Sequence, residues 1–423
     1  MTLRGTQPIR LALIGGGMFG GDVVLRSIED LERCGLAPYL GRLGLDERAR
    51  DVAPVEFRLV AIGTRTPETA ARLVREYREK LPAAEPRAYS GESPWREIFR
   101  DQAIDILFVA TPDSLHHAPT LCALEHGAHV VVEKPLALRI DEAHEIVRVA
   151  REKRLVVGVD MHKRYDPCHR FIFDRIVPQI GVPLYGRAVL EEPLEVSTET
   201  FRWAATSNPF SYVGVHWLDL FAHYLDARPV SLHAVGQKRL LARWHEEGGT
   251  RPIDTFDAMQ VAVDYASGLR IYYVNNWINP REFEAPVNQE MELVGTRGKV
   301  EFDQQYRGLR ATISGVGTRT FNPHFTADVA RPATPWPAYD GYGKDSIIAV
   351  VLAAVDVLLG YRDVDAVAGS YPDAASSLST VAVIEAAAEV AERNRASLES
   401  GRGSPVTARI GDGGFQIIDP LAA

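Results

Sequence analysis

The sequence predicts an α/β protein in which a doubly wound parallel sheet over residues 1–164 is followed by an α+β domain over 165–423. The first 160 residues alternate short apolar runs with helical patterns, which is typical of a parallel sheet. Between residues 230 and 303, apolar runs follow one another across short turns, which indicates a large, mostly antiparallel open sheet. A chain of 423 residues is long enough for two domains.

The composition indicates a globular protein without a membrane span. Hydrophobic residues make up 46% of the chain and charged residues 24%. The longest apolar run, 347–359, contains Asp356 and is too short to cross a bilayer. A net charge of −9 gives nucleic-acid binding no electrostatic support. Three widely spaced cysteines argue against disulfides and paired-cysteine zinc sites, so the cytoplasm is the expected location.

The first apolar run, 9–14, leads into a glycine-rich turn and then a helical pattern. Gly15, Gly17 and Gly20 have the spacing of a dinucleotide fingerprint, in which glycine allows a tight turn and close approach to a pyrophosphate. Amides of the following helix would bind the phosphates. We therefore assign the turn, including Met18 and Phe19, to a nucleotide cofactor. The alternative is a glycine turn without a ligand.

The next strand, 57–62, follows an insertion at 35–55 and ends in Gly63, Thr64 and Arg65. No carboxylate stands there to accept the ribose hydroxyls that distinguish NAD. A hydroxyl followed by arginine suits a 2′-phosphate better, so NADP is the preferred cofactor. The alternative is that Arg65 is a solvated loop residue. Asp46 and Glu47 lie nearer the expected spacing, but no strand precedes them.

The stretch 128–138 carries a β-branched run that ends in Glu133, Lys134 and Pro135. Such a run predicts a buried strand, and open α/β sheets place their chemistry at the carboxyl ends of strands. A lysine there is costly to desolvate unless a partner or substrate oxygen takes up its charge. The alternative is an ordinary strand end with a surface lysine.

Further strands are predicted at 104–110 and 155–159, and further helices at 67–77, 119–125 and 141–152. After the last strand, residues 160–167 form a polar junction that should face a cleft. The second domain should contain strands at 181–194, 230–237, 258–265, 269–277, 289–295 and 299–303, a long connection at 315–343, and helices at 344–359 and 371–394.

The helical stretch 211–226 places His216, Asp219 and His223 at positions i, i+3 and i+7, on one face. Three titratable side chains on one face are typical of a functional site. The alternatives are a satisfied pair of surface histidines or, with two imidazoles and a carboxylate, a zinc or iron site. We expect no metal.

Together these motifs resemble the Gfo/Idh/MocA family, which includes glucose-fructose oxidoreductase and inositol dehydrogenases. The resemblance covers essentially the whole chain and follows the family's order: the glycine fingerprint, Ala110-Thr111-Pro112 with His116, Gly127-x-His129-Val130 before Glu133-Lys134-Pro135, Arg164-Tyr165-x-Pro167, and Asp219-x-x-x-His223. The chain departs from the family pattern in the insertion after the first helix, in His162-Lys163, and at His216.

The resemblance implies that Lys134, Asp219 and His223 form the catalytic group. It also implies cofactor contacts at Thr111, Pro112, His116 and Glu133 and a substrate contact at Arg164. We expect Lys163 and His216, which depart from the family pattern, to contact the substrate as well, since they lie in the polar junction and on the helix face described above. The implied reaction is hydride transfer between a nicotinamide and a carbinol or carbonyl carbon of a sugar, sugar derivative or cyclitol. His223 would act as base, Lys134 would stabilise the alkoxide, and Asp219 would orient the substrate or keep the lysine charged.

Two other functions remain open at this point. A glycoside hydrolase could act through transient oxidation by a tightly bound NAD(P), and a sugar sensor could use the same fold without catalysis. An antiparallel sheet with one uncovered face also predicts a homodimer or homotetramer packed through the second domain.

Overall fold

The computed structural model describes residues 8–285, 287–330, 335–411 and 413–420. The chain forms two units: the first comprises residues up to 137, 141–166 and 323–377, and the second comprises 138–140, 167–322 and those from 378 onward. The predicted boundary after residue 164 lies two residues before the end of the segment 141–166, after which residues 167–322 belong to the second unit. It assigns 323–377 to the second domain, whereas the structure places this segment in the first unit.

Six parallel strands among the described residues form the sheet of the first unit, in the order β3-β2-β1-β4-β5-β6. They are β1 (Ile9–Ile14), β2 (Phe57–Thr64), β3 (Arg87–Ser90), β4 (Ile106–Val109), β5 (His129–Val132) and β6 (Val157–Val159). This confirms the predicted doubly wound parallel sheet, whose order reverses beside β1. The sequence analysis missed β3, in which Tyr89 is the one buried residue.

Helices connect these strands as the alternating pattern predicts. They are α1 (Arg26–Cys34), α2 (Ala49–Val52), α3 (Pro67–Lys80), α4 (Pro94–Asp101), α5 (His117–Glu125) and α6 (Ile140–Lys153). A π-helical turn, Gly20–Leu25, precedes α1. The predicted insertion at 35–55 contains α2 and the short 3₁₀ segments Ala37–Leu43 and Asp46–Arg48.

The second unit is built on a mixed, mostly antiparallel sheet of eight described strands, in the order β12-β11-β7-β10-β9-β8-β17-β18. They are β7 (Pro183–Pro193), β8 (Pro229–Gln237), β9 (Ala258–Tyr265), β10 (Arg270–Asn279), β11 (Asn288–Gly295), β12 (Gly298–Asp303), β17 (Thr407–Gly411) and β18 (Gly414–Ile418). The β7–β10 pair is parallel, and the other pairs are antiparallel. The sequence missed the hairpin of β17 and β18.

Helices of the second unit are α7 (Pro167–Phe171), α8 (Val215–Leu225) and α11 (Leu378–Glu399). One core joins α8 and α11 to the inner face of the sheet; it includes Trp217, Phe221, Val383, Val261 and Tyr273. A small separate hairpin pairs β13 (Arg310–Ile313) with β14 (Gly317–Thr320).

Residues 323–377 belong to the first unit because their main helix completes its core. This segment contains β15 (Ala327–Val329), β16 (Ala338–Asp340), α9 (Tyr342–Leu358) and α10 (Val364–Val367). Val350 of α9 packs directly against Gly158 of β6, because a β-carbon added to Gly158 would lie only 2.3 Å from the Val350 side chain. The Val159 amide donates to the Pro372 carbonyl at 2.8 Å, which covers the edge of β6. Residues 331–334 of the predicted long connection lie outside the described residues.

Within the described ranges, no helix has the length and apolar character needed to cross a membrane.

Candidate functional site

The glycine turn after β1 has the geometry that a bound pyrophosphate requires. Gly15 has φ of +107°, and a β-carbon there would lie 2.1 Å from the carbonyl oxygen of Ala110, the residue after β4. A β-carbon on Gly20 would lie 3.0 Å from the Gly15 carbonyl oxygen, whereas one on Gly17 would meet no described atom within 4 Å. Gly15 and Gly20 therefore allow close packing, and Gly17 leaves open space for a ligand.

The two larger side chains of the turn behave differently from each other. Met18 is exposed, with 57% of its surface accessible. The ring of Phe19 packs instead against His162 and Phe325, at centroid distances of 5.8 and 6.4 Å. The Phe19 side chain therefore supports the turn from an aromatic cluster, which the sequence pattern did not indicate.

At the end of β2, Thr64 is buried and its hydroxyl donates to the Thr66 carbonyl at 2.7 Å. Thr66 in turn caps α3 by accepting from the Thr69 amide. Arg65 is exposed, and no hydrogen bond or ion pair engages its side chain within the described part of the chain. Its guanidinium is therefore available to a ligand at this strand end.

The loop after β4 is held by a buried histidine. His116 Nδ1 lies 2.6 Å from the Pro135 carbonyl oxygen, and His116 Nε2 lies 2.9 Å from the Thr111 carbonyl oxygen. Burial lowers the pKa of His116, against the opposing effect of Asp113, so the ring is neutral and donates to one carbonyl at a time. His116 therefore links the Thr111-Pro112 loop to the turn after β5.

Lys134 lies in that turn and is 6% exposed, which excludes the alternative of a surface lysine. The peptide bond between Lys134 and Pro135 is cis. Glu133 is buried beside it, and its neighbour across the sheet is Asp160, which is 1% exposed and directly follows β6. Burial, then the charge of Asp160, raises the pKa of Glu133 well above its usual range.

Asp160 is a candidate site residue that the sequence analysis did not assign. The signal was available, because Asp160 follows a β-branched run just as Lys134 does. After it, a 3₁₀ turn, His162–Tyr165, carries three buried side chains: His162, Lys163 and Arg164. A guanidinium nitrogen of Arg164 donates to the Ser376 hydroxyl at 3.4 Å.

In the second unit, α8 carries the three residues whose spacing predicted a shared face. His216 is 6% exposed and Asp219 is 2% exposed, whereas His223 in the last turn is exposed beside the ring of Tyr224. The indole of Trp217 donates to the Val189 carbonyl at 3.0 Å and anchors this helix to β7. Surface placement, one of the alternatives, applies to His223 but not to His216.

Among the described residues, no three His, Cys, Asp or Glu side chains are arranged to hold a metal ion.

Two family models match this chain. The NAD-binding Rossmann-fold model of the GFO/IDH/MocA oxidoreductase family matches residues 9–161, and the model of a GFO/IDH/MocA C-terminal domain matches residues 179–301.

Similar proteins include a 1,5-anhydro-D-fructose reductase of Ensifer adhaerens, 39% identical over 22% of this chain and 28% of its own. A levoglucosan dehydrogenase of Pseudarthrobacter phenanthrenivorans is 23% identical over 75% of this chain and 87% of its own. Alignments with the first three curated relatives span 28% to 65% of their lengths.

Among solved structures, an inositol dehydrogenase homolog from Azotobacter vinelandii, complexed with NADH and myo-inositol, matches with a TM-score of 0.65. Its sequence is 20% identical, and the match covers 92% of this chain and 96% of that one. At this identity the likeness supports the fold alone. The two family models together span most of the chain, and the protein belongs to the GFO/IDH/MocA oxidoreductase family.

Proposed function

We propose that this protein oxidises a hydroxyl-bearing carbon of a sugar, sugar derivative or cyclitol, or reduces the corresponding carbonyl, with a nicotinamide dinucleotide. The observation that carries this proposal is the buried Lys134 at the end of β5, in the same unit as an intact glycine fingerprint. The named activities of the relatives support the substrate class.

The residues around the turn after β1 fit such a cofactor. Gly17 leaves open space beside the amides that precede α1, where a pyrophosphate binds in this type of turn. Thr64 and Arg65 would meet the adenosine ribose, and the loop at 111–112 would continue the path of the dinucleotide. When bound, the nicotinamide supplies the hydride chemistry that protein side chains lack.

The chain's own residues would supply charge and proton transfer. Lys134 would donate to the substrate oxygen and stabilise it as negative charge develops, which a preorganised cation does strongly where water is excluded. A histidine of α8 would take the hydroxyl proton during oxidation and return it during reduction. The sequence assigns this role to His223, but burial beside Asp219 favours His216. Asp219 would orient the substrate or the histidine.

The test compares wild-type protein with Lys134→Met, using NAD or NADP and a panel of inositols, hexoses and anhydrosugars. We expect turnover to fall at least about a hundredfold while cofactor binding remains, because one donor to the developing charge is lost. Lys153→Met, which changes an exposed lysine in the last turn of α6, is the matched control. Unchanged turnover in Lys134→Met would remove Lys134 from the mechanism, and no turnover of any panel member by the wild type would contradict the substrate class.

A further inference from the structure

The carboxyl groups of Glu133 and Asp160 lie at neighbouring strand ends next to Lys134. Glu133 follows β5 and Asp160 follows β6, and Val132 and Val159 are paired in these neighbouring parallel strands. The Asp160 amide donates to the Val132 carbonyl at 2.8 Å, which holds the two strand ends together. The Glu133 and Asp160 side chains interact with each other, and both are buried.

Several described groups act on this pair or lie near it. Lys134 is the nearby cation that acts on both carboxyls, and His162 Nδ1 stands 4.0 Å from Asp160 Oδ1. Ser346 of α9 faces Asp160. His116, on the loop after β4, also lies near Lys134, and Asp113 acts on His116. Among the described residues, no donor is well aligned with either carboxyl oxygen of Asp160.

Two ionised carboxylates are strongly disfavoured in such a place, because each loses water and repels the other, although the Lys134 amide donates to Glu133. One proton held between them removes the repulsion and leaves a single negative charge, which balances the single positive charge of Lys134. We propose that Glu133 and Asp160 share one proton, and that this pair is the buried counter-charge that positions the Lys134 ammonium for catalysis.

The electrostatic environment supports this arrangement. Burial raises the pKa of Asp160 to about 6, and burial together with the charge of Asp160 raises the pKa of Glu133 well above its usual range. Both shifts favour a proton held by the pair. Asp160 acts through Glu133 and Lys134 and is a positioning residue, and its proposed role in turnover rests on the proposed function of Lys134.

The first experiment does not depend on turnover. An infrared difference spectrum between wild-type protein and Asp160→Asn at neutral pH should contain the carbonyl band of a protonated carboxylic acid, present only in the wild type. In the variant, Glu133 has no like charge beside it and ionises. The matched control is Asp105→Asn, which alters a carboxyl before β4 that pairs with Arg10. A spectrum without this band, or with the same band in the control, would overturn the proposal.

The second experiment follows kcat/KM from about pH 5 to 9. In the wild type, kcat/KM should change in two steps, first as the pair loses its first proton and then, at higher pH, as it loses the shared second proton, whose loss the charge already present opposes. Asp160→Asn and Glu133→Gln each leave a single carboxyl, so the step at higher pH should be absent from both variants. A fall in rate with both steps retained would indicate only a structural role and would contradict the proposal. An inactive wild type that retains the infrared band would contradict the proposed function alone.

Discussion

At the scale of single residues, the two histidines of α8 are distinguished by their surroundings. His216 and Asp219 are buried one turn apart, whereas His223 is exposed in the last turn. A base must be held close to the hydroxyl from which it takes a proton, and a buried, packed side chain is better ordered than an exposed one. The structure therefore leads to a different ranking from the sequence motif.

We expect His216→Asn to lower kcat/KM at neutral pH by about a hundredfold to ten-thousandfold, the usual contribution of a general base. His223→Asn serves as the matched variant on the same helix and should keep nearly the wild-type rate. Steady-state kinetics of both variants would settle the order, and the opposite result would return the role to His223.

Arg65 carries the prediction about cofactor preference. Its exposed guanidinium could pair with a 2′-phosphate, but solvent screening limits the gain to roughly tenfold in affinity. Arg65→Ala should therefore weaken NADP binding about tenfold and leave NAD binding almost unchanged. Arg75→Ala on α3 removes another exposed arginine and provides the control. Cofactor binding is measured by fluorescence titration. If the intact protein binds NAD more tightly than NADP, Arg65 does not determine cofactor preference and the prediction is wrong.

One motif histidine has a purely structural explanation. His129 opens β5, and its Nδ1 accepts a hydrogen bond from the Val156 amide at 2.9 Å. Burial lowers the pKa of His129 to about 4, so the ring is neutral and can accept. A histidine in a family motif is therefore not evidence of chemistry by itself.

At the scale of elements, the insertion after α1 holds α9 in place. Arg42 Nε is 2.8 Å from Asp345 Oδ1, and Arg48 Nη2 is 2.6 Å from Asp356 Oδ1. Next to these ion pairs, Lys344 Nζ is 2.8 Å from Asp30 Oδ2 and 3.4 Å from the centre of the Tyr39 ring. The insertion at 35–55, which departs from the family pattern, therefore supplies ion-pair partners for α9 where residues 323–377 rejoin the first unit.

Lys344 gives a pH dependence of stability. Burial lowers the pKa of Lys344 to about 8, although Asp30 opposes the shift. Between about pH 8 and the ordinary lysine value near 10.4, the unfolded chain binds more protons than the folded one, so stability contributed by this group rises with pH. Below pH 8 both states are protonated and the contribution is constant.

We expect the free energy of unfolding of wild type, relative to Lys344→Met, to increase by up to about 1.4 kcal/mol per pH unit within that window. Denaturant titrations of both proteins measure this difference, in which titrating groups remote from Lys344 cancel. Lys80→Met, which removes a more exposed partner of Glu29, is the control. A difference that stays constant above pH 8 would contradict the assignment.

At the scale of the whole molecule, the outer face of the second-unit sheet supports the proposal of self-association. Tyr272 and Tyr185 project from neighbouring strands and are 46% and 48% exposed, while Ile271 and Gly186 face the core. Arg187 and Arg270 share this face and form ion pairs with Glu290 and Asp264. Large exposed aromatic side chains on such a face commonly mark a contact with a partner.

We predict a homodimer or homotetramer formed through this face. Light scattering at micromolar concentration should report a dimer or tetramer for the wild type and a smaller species for Tyr272→Glu, because an interface charge without a partner is costly. Tyr306→Glu, at an exposed tyrosine outside the sheet, should leave the size unchanged. A wild-type monomer would contradict the prediction.

Local sequence patterns were sufficient to predict many of the secondary-structure elements, the fold class and the family of this protein. The strand, glycine turn and helix at 9–31, the parallel sheet, the successive strands of the second unit and the family all follow from periodicity and short motifs, which depend on neighbouring residues. Lys134 could also be selected from sequence, because its position at the end of a β-branched run identifies a strand terminus.

Only the tertiary structure decided which distant residues come together. The pairing of Glu133 with Asp160 depends on strand order, and no spacing along the chain encodes it. Residues 323–377 pack in the first unit, where Val350 fills the space that Gly158 leaves. Helical spacing places His216 and His223 on the same face of α8 and does not distinguish them. Their different burial arises from what packs against each turn of α8. Burial and long-range packing are properties of the whole fold, so a local pattern does not contain them.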